Sequence, residues 1–401
     1  MPTRSVLISG IGIAGPTLGY WLAECGFEPT LLECWPSLRT GGYVIDFWGL
    51  GYDVAQRMGL LPAFDSKGYH VQEVRFVDRH GRPVGGFGVD IFRKLTGGRY
   101  VSLQRSDLAA LLYHKIGDRC EAIFGDSIAG IEQDSDGVQI KFKRAPPRRF
   151  DLLVGADGLH STVRDLAFES HRHLEHYLGY AVAAFEVEGY RPRDENAYVS
   201  YSLPGKQVAR FSLRGDRTMF LFLFAAAEDR LRGLEVVRAQ KAILHSEFDH
   251  AGWECPQILA ALDECQHLYF DRVSQIRLSN WSRGRVTLVG DAAFCPSLLA
   301  GQGSALAMTA AYVLAGELAN AEGQIDRALA RYQRVLSSYI AGKQKAAEGF
   351  AGSLVPKSRL GLFIRNQVTK MLTITLVANL ALGRSLRDQL ELPHYQMPPM
   401  L

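Results

Sequence analysis

Three glycines near the start of the chain, Gly10, Gly12 and Gly15, have the spacing of a loop that holds a phosphate group. An apolar strand pattern precedes them, a helical pattern follows, and a second apolar strand ends at Glu33. In such a unit the glycines allow a tight turn, close approach of a pyrophosphate, and close helix packing. The helix N-terminus binds the anion, and the terminal acid accepts hydrogen bonds from a ribose. The unit predicts a bound dinucleotide, NAD(P) or FAD; the alternative is a glycine-rich turn without a ligand.

A second junction between a strand and a helix contains Asp157 and Gly158, directly after an apolar strand at 151–155. Ser161 follows at a position where a hydroxyl caps the N-terminus of a helix. An Asx turn between the two elements, with no ligand, also explains these residues. By itself this motif favours that structural interpretation.

A third junction joins an apolar strand at 286–289 to a helix at 304–321 through Gly290, Asp291 and a loop with proline and glycine. The helix at 304–321 is the second one that follows a glycine-containing loop. Two such N-termini predict a ligand long enough to contact both helices. FAD fits, because its adenine half would lie on the first unit and its flavin ring would reach the second. A helix N-terminus stabilises the negative charge of a reduced flavin, and Asp291 would accept hydrogen bonds from the ribityl hydroxyls.

An antiparallel sheet is predicted between these α/β segments, because turn signals separate a series of short strand patterns. The strands are predicted at 181–188, 197–203, 207–214 and 218–224. Phe220 and Phe222 share one face of the last strand, and Arg210 lies on the strand before it. We expect these three side chains to contact the substrate. The alternative is that the phenylalanines belong to the sheet core and the arginine is solvated.

Two helices and a hairpin are predicted in the first third of the chain. One helix covers 52–61 and ends at Pro62, and the other covers 103–113 with Ser106 as its cap. The alternation between 71 and 87 predicts a hairpin.

The last sixty residues, 341–401, have a helical pattern with a broad apolar surface that begins near Leu362. The favoured interpretation is a helix packed against the body of the protein. The alternatives are a lid over a substrate entrance and a helix that lies on a membrane surface.

The composition narrows the class of protein. A net charge of +3 over 401 residues, without a basic tract, argues against nucleic-acid binding. The 6 cysteines lack metal-ligand spacing, so we expect free thiols in a reducing compartment and no metal site. The first strand begins near Val6, and the longest apolar run, 219–227, is too short to span a membrane. We therefore expect a cytoplasmic protein without a signal peptide or a membrane span.

The three junctions, in this order, resemble those of the FAD-dependent aromatic hydroxylases, single-component monooxygenases with a para-hydroxybenzoate hydroxylase-like fold. The resemblance extends over residues 1–345. It implies that the following residues bind the cofactor: Gly10, Gly12, Ile13, Ala14, Gly15, Glu33, Arg39, Arg105, Asp157, Gly290, Asp291, Pro296, Gly301, Gln302 and Gly303. The sequence departs from the family pattern where Phe294 replaces a frequent histidine and Cys295 a frequent proline. Three features most resemble the branch that includes tetracycline-inactivating and polyketide-tailoring monooxygenases. They are the Ile13-Ala14-Gly15-Pro16 variant of the first glycine loop, the crossing with Gly41 and Gly42, and the apolar C-terminal helix.

The resemblance also implies the fold class, α/β with a Rossmann-like FAD-binding domain, an interleaved antiparallel-sheet substrate domain and C-terminal helices. The FAD-binding domain would be discontinuous, at 1–70, 101–178 and 276–340. The substrate domain would comprise 71–100 and 179–275, and 341–401 would form the C-terminal helical region.

The activity implied by the resemblance is hydroxylation of an aromatic or polycyclic phenolic molecule, of polyketide or tetracycline type. NADPH or NADH would reduce the flavin in a transient visit, and O2 would form a C4a-hydroperoxide that delivers oxygen to the ring. No catalytic residue is identified from the sequence, and the oligomeric state, monomer or dimer, stays open. The alternatives are a reductase or dehydrogenase on the same fold, a flavin-binding redox sensor without turnover, and a halogenase. The absence of a Trp-x-Trp pair among the 5 tryptophans disfavours the halogenase.

Overall fold

The computed structural model describes residues 4–39, 41, 43–168, 174–234, 236–372 and 388–396. The strands are, in chain order, β1 Ser5–Ser9, β2 Glu28–Glu33, β3 Val44–Trp48, β4 Glu73–Val77, β5 Pro83–Gly88, β6 Tyr100–Gln104, β7 Glu121–Phe124, β8 Ile128–Gln133, β9 Val138–Phe142, β10 Arg148–Phe150, β11 Leu152–Gly155, β12 Glu175–Glu188, β13 Ala197–Leu203, β14 Lys206–Ser212, β15 Arg217–Ala225, β16 Tyr269–Ile276, β17 Ser282–Arg283 and β18 Val286–Leu288. The helices are α1 Ala14–Glu24, α2 Leu50–Arg57, α3 Leu61–Lys67, α4 Asp90–Leu95, α5 Arg105–Ile116, α6 Thr162–Ala167, α7 Val237–Phe248, α8 Cys255–Glu264, α9 Asp291–Phe294, α10 Gly303–Ala319, α11 Ile325–Leu354 and α12 Arg359–Met371.

A six-stranded sheet organises the first lobe, in the order β17-β18-β11-β1-β2-β7. Strands β18, β11, β1, β2 and β7 run parallel, and their buried apolar residues are typical of a sheet covered on both faces. The carboxyl ends of β1, β11 and β18 therefore meet at one edge, and each is followed by one of the three predicted junctions. This arrangement confirms the α/β class with a Rossmann-like unit.

A seven-stranded sheet organises the second lobe, in the order β16-β12-β15-β14-β13-β4-β5. It confirms the four predicted meander strands and adds the hairpin of β4 and β5, because β4 pairs with β13. Helices α7 and α8 pack on the face that bears Phe222, which we call the outer face. The opposite face, the inner face, bears Val182 and Leu223 and packs on Leu299, which lies between β18 and α10.

Two local predictions are wrong, and one strand pairing was missed. Helix α2 ends at Arg57, and Pro62 lies in the first turn of α3, where its missing N–H costs no hydrogen bond. Ser106 does not cap α5, because strand β6 continues to Gln104 and the helix starts directly at Arg105. The pairing of β3 with β6 was not predicted.

The C-terminal region, predicted at 341–401, differs from its prediction in part. Helix α11 continues through position 341, so the predicted domain boundary falls inside a helix. The described residues 388–396 are not helical, and Asp388 accepts a hydrogen bond from the backbone N–H of Leu50 at 2.9 Å. Among the described residues, no helix is both long and apolar enough to cross a bilayer.

Candidate cofactor and active site

The glycine loop after β1 is tight because two glycines leave no room for a side chain. Gly10 has φ +110°, and a Cβ there would lie 2.5 Å from the carbonyl oxygen of Ala156 after β11. A Cβ on Gly15 would lie 1.9 Å from the carbonyl oxygen of Gly10. These two glycines are therefore required by the fold of the loop itself, with or without a ligand.

Gly12 differs from the other two glycines because its surroundings are open. The one atom near a hypothetical Cβ at Gly12 is Nη2 of Arg105, at 3.8 Å. Arg105 is the first residue of α5, and its backbone N–H donates to the carbonyl of Tyr43 at 3.1 Å. A space beside backbone N–H groups and a guanidinium suits an anionic pyrophosphate.

Glu33, at the end of β2, is buried and already bound to the glycine loop. Its Oε2 accepts a hydrogen bond from the backbone N–H of Ile11 at 2.9 Å, and its Oε1 accepts one from that of Trp35 at 3.2 Å. Because a carboxylate has further lone pairs, Glu33 can also accept hydrogen bonds from ribose hydroxyls. Arg39 lies exposed beyond the end of β2. Burial and the neighbouring Glu33 raise the pKa of Cys34, and the charge of Arg39 offsets this in part.

Asp157 lies after β11 and is used locally by helix α6. Its carboxylate accepts hydrogen bonds from the hydroxyl of Ser161 and from the backbone N–H of Val163. Ser161 caps α6, as predicted, by accepting from the N–H of Arg164 at 3.0 Å. These bonds match the structural interpretation of the motif. The α-carbon of Asp157 nevertheless touches the Gly10 turn, since a Cβ on Gly10 would lie 2.8 Å from it.

Arg164 is a positioning residue that the sequence did not suggest. It is only 7% exposed, and its guanidinium donates to the carbonyls of Leu159 at 2.7 Å and Ala292 at 3.0 Å. Burial lowers the pKa of this guanidinium. Arg164 thereby ties the second junction to the third.

Gly290 is the point where the two glycine-prefaced helices meet. It has φ +67°, and a Cβ there would lie 3.2 Å from Cβ of Ala14 and 3.4 Å from Cβ of Ala307. Ala14 begins α1, and Ala307 lies in the second turn of α10. One extended ligand can therefore lie across both N-termini, as the sequence predicted.

Asp291 follows, and its side chain is partly exposed. Desolvation raises the pKa of its carboxyl, whereas the positive charge of Arg105 and the thiol of Cys295 lower it. Its Oδ1 faces the start of α10, at 3.6 Å from the Cβ position of Gly303. A partly exposed carboxylate with free lone pairs suits the hydroxyl groups of a ribityl chain.

The loop between α9 and α10 contains the remaining predicted cofactor residues. The carbonyl of Pro296 accepts from the side-chain amide of Gln275 at 3.1 Å, and Gln302 is buried at the N-terminus of α10. Gly301 has φ +63°, and a Cβ there would lie 3.3 Å from the indole of Trp48. Nε1 of Trp48 is buried and has no hydrogen-bond partner among the described residues. A buried N–H donor near this loop, without a partner among the described residues, suits a ligand ring with hydrogen-bond acceptor atoms.

The predicted substrate contacts Arg210, Phe220 and Phe222 are wrong. Both phenylalanines are fully buried on the outer face, and the ring of Phe222 packs against Phe248 of α7 at 4.9 Å. Arg210 pairs with Phe220 across β14 and β15, so it belongs to the same face. Its guanidinium is 4% exposed and binds the carboxylates of Asp194 and Glu254 at 2.6 and 2.8 Å. The two-residue period placed the two phenylalanines on one face correctly, but helices cover that face.

The inner face supplies the wall opposite the loop between α9 and α10. Apolar residues of β12 and β15 pack there on Leu299. Oγ of Ser200, on β13, is buried without a hydrogen-bond partner among the described residues. Nearer to Arg105, the amide of Gln104 donates to Glu186 at 3.0 Å, and the ring of Tyr43 lies 5.9 Å from that of Tyr269. The contact between the two lobes is therefore mainly apolar with a few polar groups, a composition typical of the walls of small-molecule sites.

A glycine loop and a Gly-Asp junction at one edge of a parallel sheet, facing an antiparallel sheet, define a flavoprotein oxygenase architecture. The chain belongs to the family of FAD binding domains, whose model matches residues 3–337. A flavin-dependent monooxygenase of an unknown prokaryotic organism is 31% identical over 393 residues, 98% of each chain. A flavin-dependent monooxygenase of Legionella longbeachae serogroup 1 (strain NSW150) is 30% identical over 407 residues, again 98% of each.

A solved structure extends the similarity to the whole fold. The crystal structure of tetracycline destructase Tet(55) matches with a TM-score of 0.85 and 31% identity, over 98% of this chain and 100% of that one. The protein is an FAD-dependent monooxygenase of the aromatic-hydroxylase family, which includes tetracycline-inactivating members.

Proposed function

We propose that this monooxygenase hydroxylates an aromatic or polycyclic phenolic molecule of polyketide or tetracycline type, with NADPH or NADH as the reductant. The observation that supports it most is the apolar inner face opposite the loop between α9 and α10, in a fold similar to that of a tetracycline destructase. In the overall reaction, one ring C–H, O2, NAD(P)H and a proton give one ring C–OH, NAD(P)+ and water. Bound FAD supplies the redox chemistry that activates O2.

We propose two groups of residues for holding FAD. The glycine loop would hold the ADP half, with Glu33 accepting from the ribose and Arg105 neutralising the pyrophosphate beside Gly12. Asp291 would accept from the ribityl hydroxyls, and the segment from Pro296 to Gly303 would lie beside the ring. The N-terminus of α10 would favour negative charge on the ring.

The inner face has two tasks in this proposal. Its apolar residues, together with Leu299, exclude water from the reacting atoms, which prevents unproductive loss of the activated oxygen. The buried hydroxyl of Ser200, without a hydrogen-bond partner among the described residues, would orient a substrate oxygen that reaches it.

The division into an FAD-binding domain and a substrate domain stays part of this proposal; its boundaries after residues 100 and 178 fall inside β6 and β12. A second glycine-rich dinucleotide unit is not present in the sequence, which supports a transient visit of NAD(P)H.

The experiment is turnover under ¹⁸O2 with a panel of phenols, polyketides and tetracyclines, read by mass spectrometry with NADPH and NADH compared. One ¹⁸O atom in the product, with substrate-stimulated NAD(P)H oxidation, supports hydroxylation. A product without added oxygen would point to the reductase or dehydrogenase alternative. Bound FAD without turnover of any panel member would contradict the proposed substrate class.

A further inference from the structure

Helix α12 presents its apolar side chains to the outside of the molecule. The exposed residues recur at helical spacing on one face, and we call them the apolar stripe: Leu360, Phe363, Ile364, Val368 and Met371. Leu360 is 67% exposed and Phe363 is 60% exposed. The helix packs against the body of the protein, as the favoured interpretation expected, but not through these side chains; the part of the predicted apolar surface beyond Leu372 lies outside the described residues.

The polar face of α12 attaches the helix to the second lobe. The guanidinium of Arg365 lies 4.0 Å from the ring centre of Phe76 and donates to Oγ of Ser202 and the carbonyl of Leu354, both at 3.0 Å. Because the guanidinium is largely buried, its pKa is lowered to about 10. On the next turn, the hydroxyl of Thr369 accepts from the N–H of Gly86 at 3.3 Å.

The backbone of β5 fixes the same orientation. Gly85 lacks a side chain where α12 crosses the strand, since a Cβ there would lie 3.0 Å from Cα of Asn366. Rolling the helix to bury its apolar stripe would break these contacts and leave the Arg365 charge without its acceptors. The outward direction of the stripe is therefore set by specific interactions.

The sequence around the stripe carries charge of one sign, although Arg365 within it faces the second lobe. Residues 349–372 contain no acidic residue, and their basic residues are Lys357, Arg359, Arg365 and Lys370. Lys357 and Arg359 stand at one end of α12 and Lys370 at the other. An apolar helical face flanked by basic residues matches helices that lie in the interface of a membrane.

We propose that α12 docks on the surface of an anionic phospholipid bilayer through the apolar stripe. A second copy of this chain is disfavoured as the occupant, because a symmetric contact would bring the basic residues of both copies together. A helix of 13 residues is about 20 Å long, shorter than the apolar core of a bilayer, so it lies in the interface and does not span.

The docking would place a surface pocket near the lipid. This pocket has a volume of about 450 Å³ and is lined by Tyr180, Glu348 and Lys357 among others, with the Lys357 ammonium 5.5 Å from the ring centre of Tyr180. Leu354 and Val355 pack on the inner face in the same cluster as Leu299. An apolar polycyclic substrate dissolved in the membrane would then be concentrated beside this pocket. The membrane docking itself does not depend on which substrate is used.

The test is co-sedimentation of the FAD-loaded protein with vesicles of phosphatidylcholine alone and of phosphatidylcholine with phosphatidylglycerol. We expect binding to the anionic vesicles, weakened by high salt because the charges are screened. The double variant Phe363→Ser/Ile364→Ser should lose at least tenfold in partition coefficient. The matched control is Val236→Ser/Val237→Ser, which removes two exposed apolar side chains near α7 and should bind like the wild type. Flavin absorbance and melting temperature establish that each variant is folded.

Three results would overturn the proposal. They are failure of the wild type to bind either vesicle, equal binding by the stripe variant, and equal binding to neutral and anionic vesicles. A dimer that forms in solution and is lost in the stripe variant, without vesicle binding, would instead assign the stripe to a second copy. Monooxygenase turnover of a water-soluble substrate should be unchanged in the stripe variant, so this test is separate from that of the proposed function.

Discussion

The carboxylate of Glu33 accepts a hydrogen bond from the backbone N–H of Ile11, and this bond joins the end of β2 to the glycine loop after β1. The acid expected to bind a ribose therefore also fixes the loop that would hold the phosphates. One side chain organises both parts of the ADP half of the site.

We predict that Glu33→Gln weakens FAD binding by about 10- to 100-fold, the loss expected for buried hydrogen bonds to a charged group. The carbonyl oxygen of the introduced amide can still accept the hydrogen bond from the N–H of Ile11, but the negative charge of the carboxylate is lost. FAD affinity is measured by recovery of flavin fluorescence on dilution. The control is Glu132→Gln, an exposed acid on β8 that pairs with Lys141, and it should leave the affinity unchanged. An unaltered affinity in Glu33→Gln would contradict the assignment.

Substitutions at two glycines of the loop should distinguish a role in folding from a role in cofactor binding. Gly12→Val should leave the stability of the apoprotein unchanged, because the site is open, but should obstruct FAD. Gly15→Ala should destabilise the apoprotein by about 1–3 kcal/mol, because its Cβ would meet the Gly10 carbonyl. Urea unfolding of the apoproteins and FAD titration measure the two effects. Equal destabilisation by both substitutions would show that Gly12 also serves the fold.

Asp291→Asn should raise the melting temperature of the apoprotein at neutral pH and weaken FAD binding. Desolvation raises the pKa of Asp291, so folding becomes less favourable as the pH rises above the ordinary aspartate value and the group ionises. The variant lacks this cost, and the two apoproteins should melt alike only at low pH. Melting curves across the pH range, with and without FAD, check the prediction; a variant less stable at neutral pH would contradict it.

Trp48→Phe should alter FAD affinity or the KM of the substrate with no loss of stability, because Nε1 of Trp48 has no partner among the described residues. The matched control is Trp21→Phe. Its Nε1 is equally buried and unpartnered in the described part of the chain, but Trp21 lies on α1 against Tyr312. Steady-state kinetics and FAD titration compare the two variants. The same small effect in both would mean that the Trp48 donor faces no ligand.

The sequence predicted the parts of the site that depend on backbone geometry. The turns at Gly10 and Gly290 need a positive φ, and an apolar strand before each turn left little freedom in how the chain could fold there. Strand alternation likewise predicted the meander correctly.

The failures have a common physical cause. Periodicity states which residues share a face, but not which neighbour that face meets. Phe220 and Phe222 share a face, yet α7 and α8 cover it, and the stripe of α12 is apolar, yet Arg365 holds it outward. These outcomes depend on contacts between residues far apart in the chain, as does the link from Arg164 to Ala292.

The meeting of Ala14, Gly290 and Ala307 also sets when the protein can acquire its flavin. Ala14 leaves the ribosome early, but its two neighbours in the cradle are synthesised only in the last third of the chain. A nascent chain that stops before this segment has only part of the site, so FAD capture has to await the synthesis of Gly290 to Ala307. Products truncated before Gly290 should therefore be colourless.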